Sequence, residues 1–150
     1  MSQLICAVVR SMLVAIILGV GPACADHPLT KVVRDDRGGY IGARAIEIAE
    51  LNARSIRVEL RGRVCLSSCT MYLGATRLCI DPRTSFGFHG PSRNGRPLPP
   101  EQFAHWSDIM ARHYRPPLRT WFLDDARHQL RGYKRISGAQ LVALGYPACP

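Results

Sequence analysis

Residues 61–74 read RGRVCLSSCTMYLG, and this stretch decides how the whole chain is interpreted. Cys65 and Cys69 enclose two adjacent serines, Ser67 and Ser68, directly after a run of residues that is typical of a strand. The pattern fits a disulfide framework, a metal site, or a helix start that carries a nucleophilic serine. Residues elsewhere in the chain are needed to choose among the three.

The N-terminal residues predict export. Arg10 precedes the apolar run Met12–Val20, and the small residues around Cys24 form a cleavage site of the small-x-small type. A membrane anchor is disfavoured, because a span needs about 20 apolar residues and Arg10 interrupts the apolar stretch over residues 4–20. Cleavage directly before Cys24, as in a lipoprotein, is the other alternative. We therefore predict a signal peptide over residues 1–25 and a single domain over residues 26–150.

The composition is strongly basic. The chain carries 20 lysine and arginine residues against 11 acidic ones, a formal net charge of +9. The basic residues are scattered and no nucleic-acid-binding motif is present, so we expect no nucleic-acid partner. Attraction to anionic lipid headgroups or acidic polymers stays open. After cleavage we expect no stable membrane span and a location in the periplasm or outside the cell.

Four cysteines remain after the predicted cleavage, namely Cys65, Cys69, Cys79 and Cys149. An even number in an oxidising compartment favours disulfides, and three pairings are open. A zinc site formed by Cys65, Cys69 and His89 is the alternative, but C-x₃-C is poor zinc spacing. We expect neither a metal nor a cofactor.

Hydrophobic patterns and turn signals divide the chain into short strands and helices. Ile56, Val58 and Leu60 alternate with polar residues, which indicates a half-buried strand. Ser137 and Gly145 are placed to begin and end the last helix. The alternation of elements favours a small α/β domain. Strands are expected over residues 29–33, 55–60, 77–80 and 85–89, helices over residues 40–53, 101–114 and 118–130 and from the two serines onward, and a loop over residues 90–100.

Three features bear on chemistry. Gly38 and Gly39 are expected between a strand and a helix, where backbone N–H groups approach a ligand closely. Ser67 and Ser68 are expected where the predicted strand over residues 55–60 turns into a helix, which exposes a hydroxyl. A histidine ends a later strand, where an imidazole could take a proton from a serine. Taken singly, each has a structural explanation as a turn, an N-cap or a core histidine.

Four segments stand out for their order: DDRGGYIGARAIEIAEL, CLSSCTMYLGATRLCI, SFGFHGP and ISGAQLVALGYPACP. They resemble the exported, Clp-protease-like branch of the ClpP/crotonase superfamily. The C-x-S-x-C-T motif followed by G-F-H is the specific part of the resemblance, which covers about residues 32–149. It implies a ClpP/crotonase-like β-β-α spiral fold, shortened at the N-terminus because the mature chain starts almost directly at the strand before the glycines.

The resemblance also implies roles for individual residues. Ser67 would be the nucleophile and His89 the general base, while backbone N–H groups of Gly38, Gly39 and Ser68 would bind the oxyanion. The protein would then be an exported serine hydrolase, with a peptidase as the narrower expectation, that acts on a peptide or acyl substrate. Family members of the Clp type form rings, so a homo-oligomer is compatible with the resemblance.

The sequence departs from the family pattern at two points beside these residues. Arg37 stands where a proline usually precedes the glycines, and Ser68 replaces the usual alanine. A shift of one residue in the alignment would therefore exchange the roles of Ser67 and Ser68.

The family's third catalytic residue, an aspartate before the closing segment, has no counterpart, because Tyr133 and two basic residues stand there. Asp108, Asp124 or Asp125 from the preceding helices are the alternatives. The missing aspartate leads to a second hypothesis for function. In that hypothesis the chain is a catalytically inactive ClpP-like domain that acts as a periplasmic binding or structural protein.

Overall fold

The structure, a computed structural model, describes residues 29–150. The predicted signal peptide over residues 1–25 lies outside the described residues. The described chain is mixed α/β, as the sequence predicts, with small sheets and short helices. In chain order its elements are β1 (Thr30–Val33), α1 (Ile41–Ala53), β2 (Arg57–Leu60), β3 (Val64–Leu66), a 3₁₀ helix here called the serine helix (Ser67–Gly74), β4 (Leu78–Ile80), β5 (Ser85–Phe88), β6 (Ser92–Arg93), β7 (Arg96–Pro97), α2 (Pro100–Ala111), α3 (Pro116–Asp124), a 3₁₀ turn (Ala126–His128), β8 (Lys134–Ser137) and α4 (Gly138–Ala143).

The first sheet has the order β1-β2-β4, and both strand pairs are parallel. Parallel neighbours need a crossover connection. Helix α1 connects β1 to β2, and the connection from β2 to β4 contains β3 and the serine helix. Val58 and Leu60 are buried, as their alternation with polar residues predicts.

The second sheet pairs β3 with β5 in parallel and β5 with β8 in antiparallel orientation. The expectation that the strand over residues 55–60 leads into the two serines is wrong. That strand ends at Leu60, and β3, in the other sheet, is the strand that precedes Ser67. The turn between β2 and β3 is fixed by the carboxylate of Asp35, which accepts hydrogen bonds from the N–H groups of Arg63 (2.6 Å) and Val64 (3.1 Å).

Residues 90–100, expected as a loop, contain the hairpin β6–β7. Asn94 and Gly95 form its two-residue turn with positive φ values of 51° and 74°. Asn-Gly is the favoured sequence for such a turn, because both positions need a left-handed backbone. The Asn94-Gly95 pair therefore predicts the hairpin, although the glycine and proline content of the segment is typical of a loop.

Helix α4 has a defined start and end, and a disulfide holds the residues that follow it. Ser137 caps α4 and Gln140 returns the hydrogen bond, which forms the capping box that satisfies the first N–H groups of the helix. Gly145 follows the helix with a positive φ of 91°, as expected for a helix-ending glycine. The disulfide between Cys79 and Cys149 ties the last residues to β4, so one of the three open pairings is now assigned.

Both sheets contribute to one core. Phe88 of β5 packs edge to face on Tyr114 (ring centroids 5.6 Å apart) and on Trp121 (5.4 Å). The core thus joins the second sheet to the helices that follow it. It also fixes the end of β5, directly before His89. Within residues 29–150, none of the helices has the length and apolar character needed to cross a membrane.

Candidate active site

Ser67 lies at a sharp turn between β3 and the serine helix. Its φ of 57° is in the left-handed region, which residues other than glycine rarely adopt. The preceding residue, Leu66, is extended, so the backbone changes from strand to helix within a single residue. A serine on such a turn presents its hydroxyl away from the sheet.

The disulfide Cys65–Cys69 closes a short loop around Ser67. Cys65 belongs to β3 and Cys69 to the serine helix, and their Cα atoms are 5.3 Å apart. Both half-cystines are buried. Because the two sulfurs are bonded to each other, neither is a thiolate that could ligate zinc together with His89.

The two adjacent serines have different surroundings. Ser67 is partly exposed and lines a pocket, so a ligand can reach it. The Ser68 side chain is completely buried, and its Oγ has no hydrogen-bond partner in the described part of the chain. Ser68 therefore offers a ligand its backbone N–H alone, which belongs to the first turn of the serine helix, where N–H groups lack an acceptor within the helix.

The paired glycines lie directly against Ser67. Gly38 has a φ of 97°, and a Cβ added there would be 2.6 Å from the Ser67 Cβ and 3.1 Å from its Oγ. Any side chain at this position would displace the serine. The same loop is held alongside β3, since the Leu66 N–H donates to the Asp36 carbonyl (2.9 Å). Two segments that are distant in sequence thus meet, as the sequence predicts.

Asp36 fixes the conformation of the glycine turn. Its Oδ1 accepts a hydrogen bond from the Gly38 N–H (2.7 Å), and its Oδ2 pairs with Arg44 Nη2 (2.7 Å). The Gly38 N–H is therefore already satisfied. Among residues 29–150, the Gly39 N–H has no acceptor, so of the two glycine amides it is the one able to bind an oxyanion.

Arg44 in turn is held by three partners, which lie in the glycine turn, on α1 and on the serine helix. Besides Asp36, it donates hydrogen bonds to Glu47 Oε2 (3.1 Å) and to the Tyr72 hydroxyl, and its guanidinium lies 4.3 Å from the Tyr72 ring centroid. The sequence analysis missed Asp36 and Arg44. An aspartate two residues before a glycine is the signal that could have identified Asp36, because Asp side chains bind the backbone two residues on.

His89 follows β5 and is mostly buried. Burial lowers its pKa below the ordinary value of 6.5, although a hydrogen bond with the Gly90 backbone acts in the opposite direction. The imidazole is therefore neutral at neutral pH and can accept a proton. Its ring packs edge to face against that of Tyr133, with the ring centroids 5.3 Å apart.

Within residues 29–150, no carboxylate forms a hydrogen bond or ion pair with His89. Asp125, one of the three alternatives for the third residue, accepts from Lys134 Nζ at 2.5 and 2.6 Å. Asp108 and Asp124 are exposed on α2 and α3. The Tyr133 ring packs against the histidine instead.

Ser67 and His89 line the same pocket, whose volume is about 380 Å³. Gly39 lies in its wall, and Tyr40 stands at the mouth with 89 % of its surface exposed. In the described chain, no hydrogen bond joins Ser67 to His89, as is common before a substrate binds. The remaining wall is largely apolar and includes Ile41, Leu98, Trp106 and Met110.

No family model matches this chain, and no curated protein matches it. Support for a function therefore comes from the geometry of the pocket and from the sequence resemblance.

Proposed function

We propose that this protein is an exported serine hydrolase of the ClpP/crotonase-like spiral fold, acting on peptides or other acyl compounds. The observation that supports the proposal most is the meeting of Ser67, His89 and Gly39 in one pocket. The left-handed backbone of Ser67 adds to it, because residues held in such conformations are concentrated at functional sites. Two disulfides within the described residues are compatible with export to an oxidising compartment.

In the proposed reaction, His89 takes the proton of Ser67 while Oγ forms a bond to the carbonyl carbon. The negative charge that develops on the carbonyl oxygen is stabilised by the N–H groups of Gly39 and Ser68. His89 then gives its proton to the leaving nitrogen or oxygen, whose bond to carbon breaks. Water, activated by His89 in the same way, cleaves the acyl-serine and releases the acid.

A second candidate function is binding without catalysis. It is favoured by the surroundings of His89, which has no carboxylate partner among the described residues. In serine proteases the loss of that carboxylate lowers kcat by about 10⁴. We therefore expect slow turnover if the protein is a hydrolase, and a test that detects a single reaction of Ser67 is more sensitive than a turnover assay.

That test is labelling of the purified, oxidised protein with a fluorescent fluorophosphonate. The reagent is expected to form one adduct, located at Ser67 by peptide mass mapping. Ser67→Ala should abolish the adduct and His89→Ala should slow its formation strongly. Ser107→Ala and His128→Ala are matched controls that remove the same groups outside the pocket, and they should label at the wild-type rate.

Absence of labelling on a protein that unfolds cooperatively with both disulfides formed would contradict the hydrolase and favour the binding function. An adduct at any residue other than Ser67 would contradict the proposed site.

A further inference from the structure

A second cavity, of about 600 Å³, lies next to the candidate active-site pocket. Its wall is formed by the hairpin β6–β7 and by the segment that leads into α2. Arg93 and Leu98 line both cavities, so the two lie side by side. A ligand whose carbonyl lies at Ser67 could therefore extend into the second cavity.

Arg93 and Arg96 are directly opposite each other on the hairpin. Directly opposed residues of an antiparallel pair place their side chains on the same face, with Cβ atoms about 5 Å apart, and like charges in this arrangement destabilise the pair. Asn94 and Gly95 form the turn between them, so the two guanidinium groups are carried by the same short hairpin.

Nothing in the described chain neutralises these two charges. None of the ion pairs formed within residues 29–150 includes Arg93 or Arg96. The wall of the second cavity holds no acidic residue, and Glu101, the acidic residue nearest in sequence, is not part of it. By contrast, Arg44 beside the active site is paired with Asp36 at 2.7 Å.

The chemistry of the second cavity suits a carboxylate. Two guanidinium groups on one face can bind both oxygens of a carboxylate, and such charge-assisted hydrogen bonds are stronger than neutral ones. The side-chain amides of Asn94 and Gln102 line the same wall and add further donors. A bound anion would also relieve the repulsion between the two arginines.

We propose that Arg93 and Arg96 bind a carboxylate carried by the substrate, at the end of the acyl group away from the carbonyl that Ser67 attacks. The inference rests on the proposed hydrolase function, and it narrows the substrate class to acidic acyl donors. The apolar wall between the two cavities fits the hydrocarbon part of such a molecule, since Leu98 is common to both.

The test compares two esters of the same chain length, mono-p-nitrophenyl adipate and p-nitrophenyl hexanoate. After correction for spontaneous hydrolysis, kcat/KM of the wild type should favour the adipate ester by about tenfold, the effect of one hydrogen bond to a charged group. Arg96→Gln should lower the ratio of the two kcat/KM values to about threefold, because Arg93 remains to bind the carboxylate. The double variant Arg93→Gln/Arg96→Gln should abolish the preference.

Arg119→Gln is the matched control, because it removes one exposed charge from α3, outside both cavities. Its ratio should equal that of the wild type. Loss of the preference in Arg119→Gln as well would overturn the proposal, since net charge would then explain it. Hydrolysis of the hexanoate ester without any preference for adipate would also overturn it, while the hydrolase function would stand.

If neither ester is hydrolysed, fluorophosphonate labelling of Ser67 decides about the hydrolase function, and calorimetric titration with adipate decides about the carboxylate site. Binding that is lost in Arg96→Gln and kept in Arg119→Gln would support the site. No binding to the wild type would overturn it.

Discussion

The two disulfides lie in regions of the molecule that differ in the length of chain each bond closes. Cys65–Cys69 spans a separation of four residues around Ser67, whereas Cys79–Cys149 spans 70 residues and ties the C-terminal segment to β4. A disulfide restricts the unfolded chain more strongly when the loop it closes is longer. The long loop therefore serves stability, and the short loop mainly restricts the conformation of the serine turn.

The largest effect is expected from removing the long disulfide. Cys79→Ala/Cys149→Ala should lower the free energy of unfolding by about 4 kcal/mol, the chain-entropy value for a loop of this size. Urea denaturation measures the change. At a temperature where the variant is still folded, its rate of fluorophosphonate labelling should equal that of the wild type. A large fall in that rate would show that the C-terminal segment also shapes the site.

Removing the short disulfide should affect the free energy of unfolding less, and the rate of labelling at Ser67 more, than removing the long one. Cys65→Ala/Cys69→Ala should lower the free energy of unfolding by about 2 kcal/mol, because the closed loop is short. Labelling of Ser67 should slow about tenfold or more, since the left-handed backbone of a non-glycine residue costs about 1–2 kcal/mol and is no longer enforced. An unchanged labelling rate would mean that packing alone holds the turn.

Asp36 tests whether the glycine turn depends on its hydrogen bonds. Asp36→Ala frees the Gly38 N–H and leaves Arg44 without this partner. We expect labelling to slow about tenfold, the loss of one hydrogen bond to a charged group. Asp36→Asn keeps an acceptor for Gly38 and should restore part of the rate. Equal rates in both variants would mean that the ion pair with Arg44 matters and the hydrogen bond to Gly38 does not.

Ser68→Ala is expected to stabilise the protein. The buried Ser68 hydroxyl has no partner in the described chain, and an unsatisfied group of this kind costs about 1–3 kcal/mol. Its replacement by alanine should raise the free energy of unfolding by about 1 kcal/mol, which thermal denaturation will detect. Ser67→Ala, on the exposed side of the same turn, provides the comparison and should change stability less. Destabilisation by Ser68→Ala would indicate that an ordered water satisfies the hydroxyl.

The pH dependence gives the smallest effect. Because burial lowers the pKa of His89 below 6.5, the native imidazole binds fewer protons than the unfolded one. Above pH 6.5 the imidazole is neutral in both the native and the unfolded protein, so the shift does not affect the free energy of unfolding. As the pH drops from 6.5 towards the native pKa, the unfolded state takes up more protons and the free energy of unfolding falls. The rate of labelling should fall in the same window, with a midpoint below 6.5. A midpoint above 6.5 would mean that His89 is paired with a carboxylate.

The sequence predicted the parts of the fold that local patterns determine. The alternation of Val58 and Leu60 located β2, and Ser137 and Gly145 correctly marked the ends of α4. The strands β3 and β8 were missed. Each is short, and β8 carries the charged residues Lys134 and Arg135, so pairing with β5 rather than local propensity makes it a strand.

The candidate site was predictable to a similar extent. The resemblance pointed to Ser67, His89 and the two glycines; Ser67, His89 and Gly39 line one pocket, and Gly38 packs against Ser67. The sequence did not distinguish Gly38 from Gly39 as an amide donor, because that depends on the side chain of Asp36. Nor did it determine the cysteine pairing, which follows from how distant segments pack.

The loop closed by Cys65 and Cys69 also bears on the order of events during maturation. A newly made chain whose thiols are still reduced lacks this bond, and the turn that carries Ser67 is then free to sample other backbone conformations. Oxidation would thus be the step that completes the nucleophile, and a precursor kept in a reducing environment would react more slowly until its two sulfurs join.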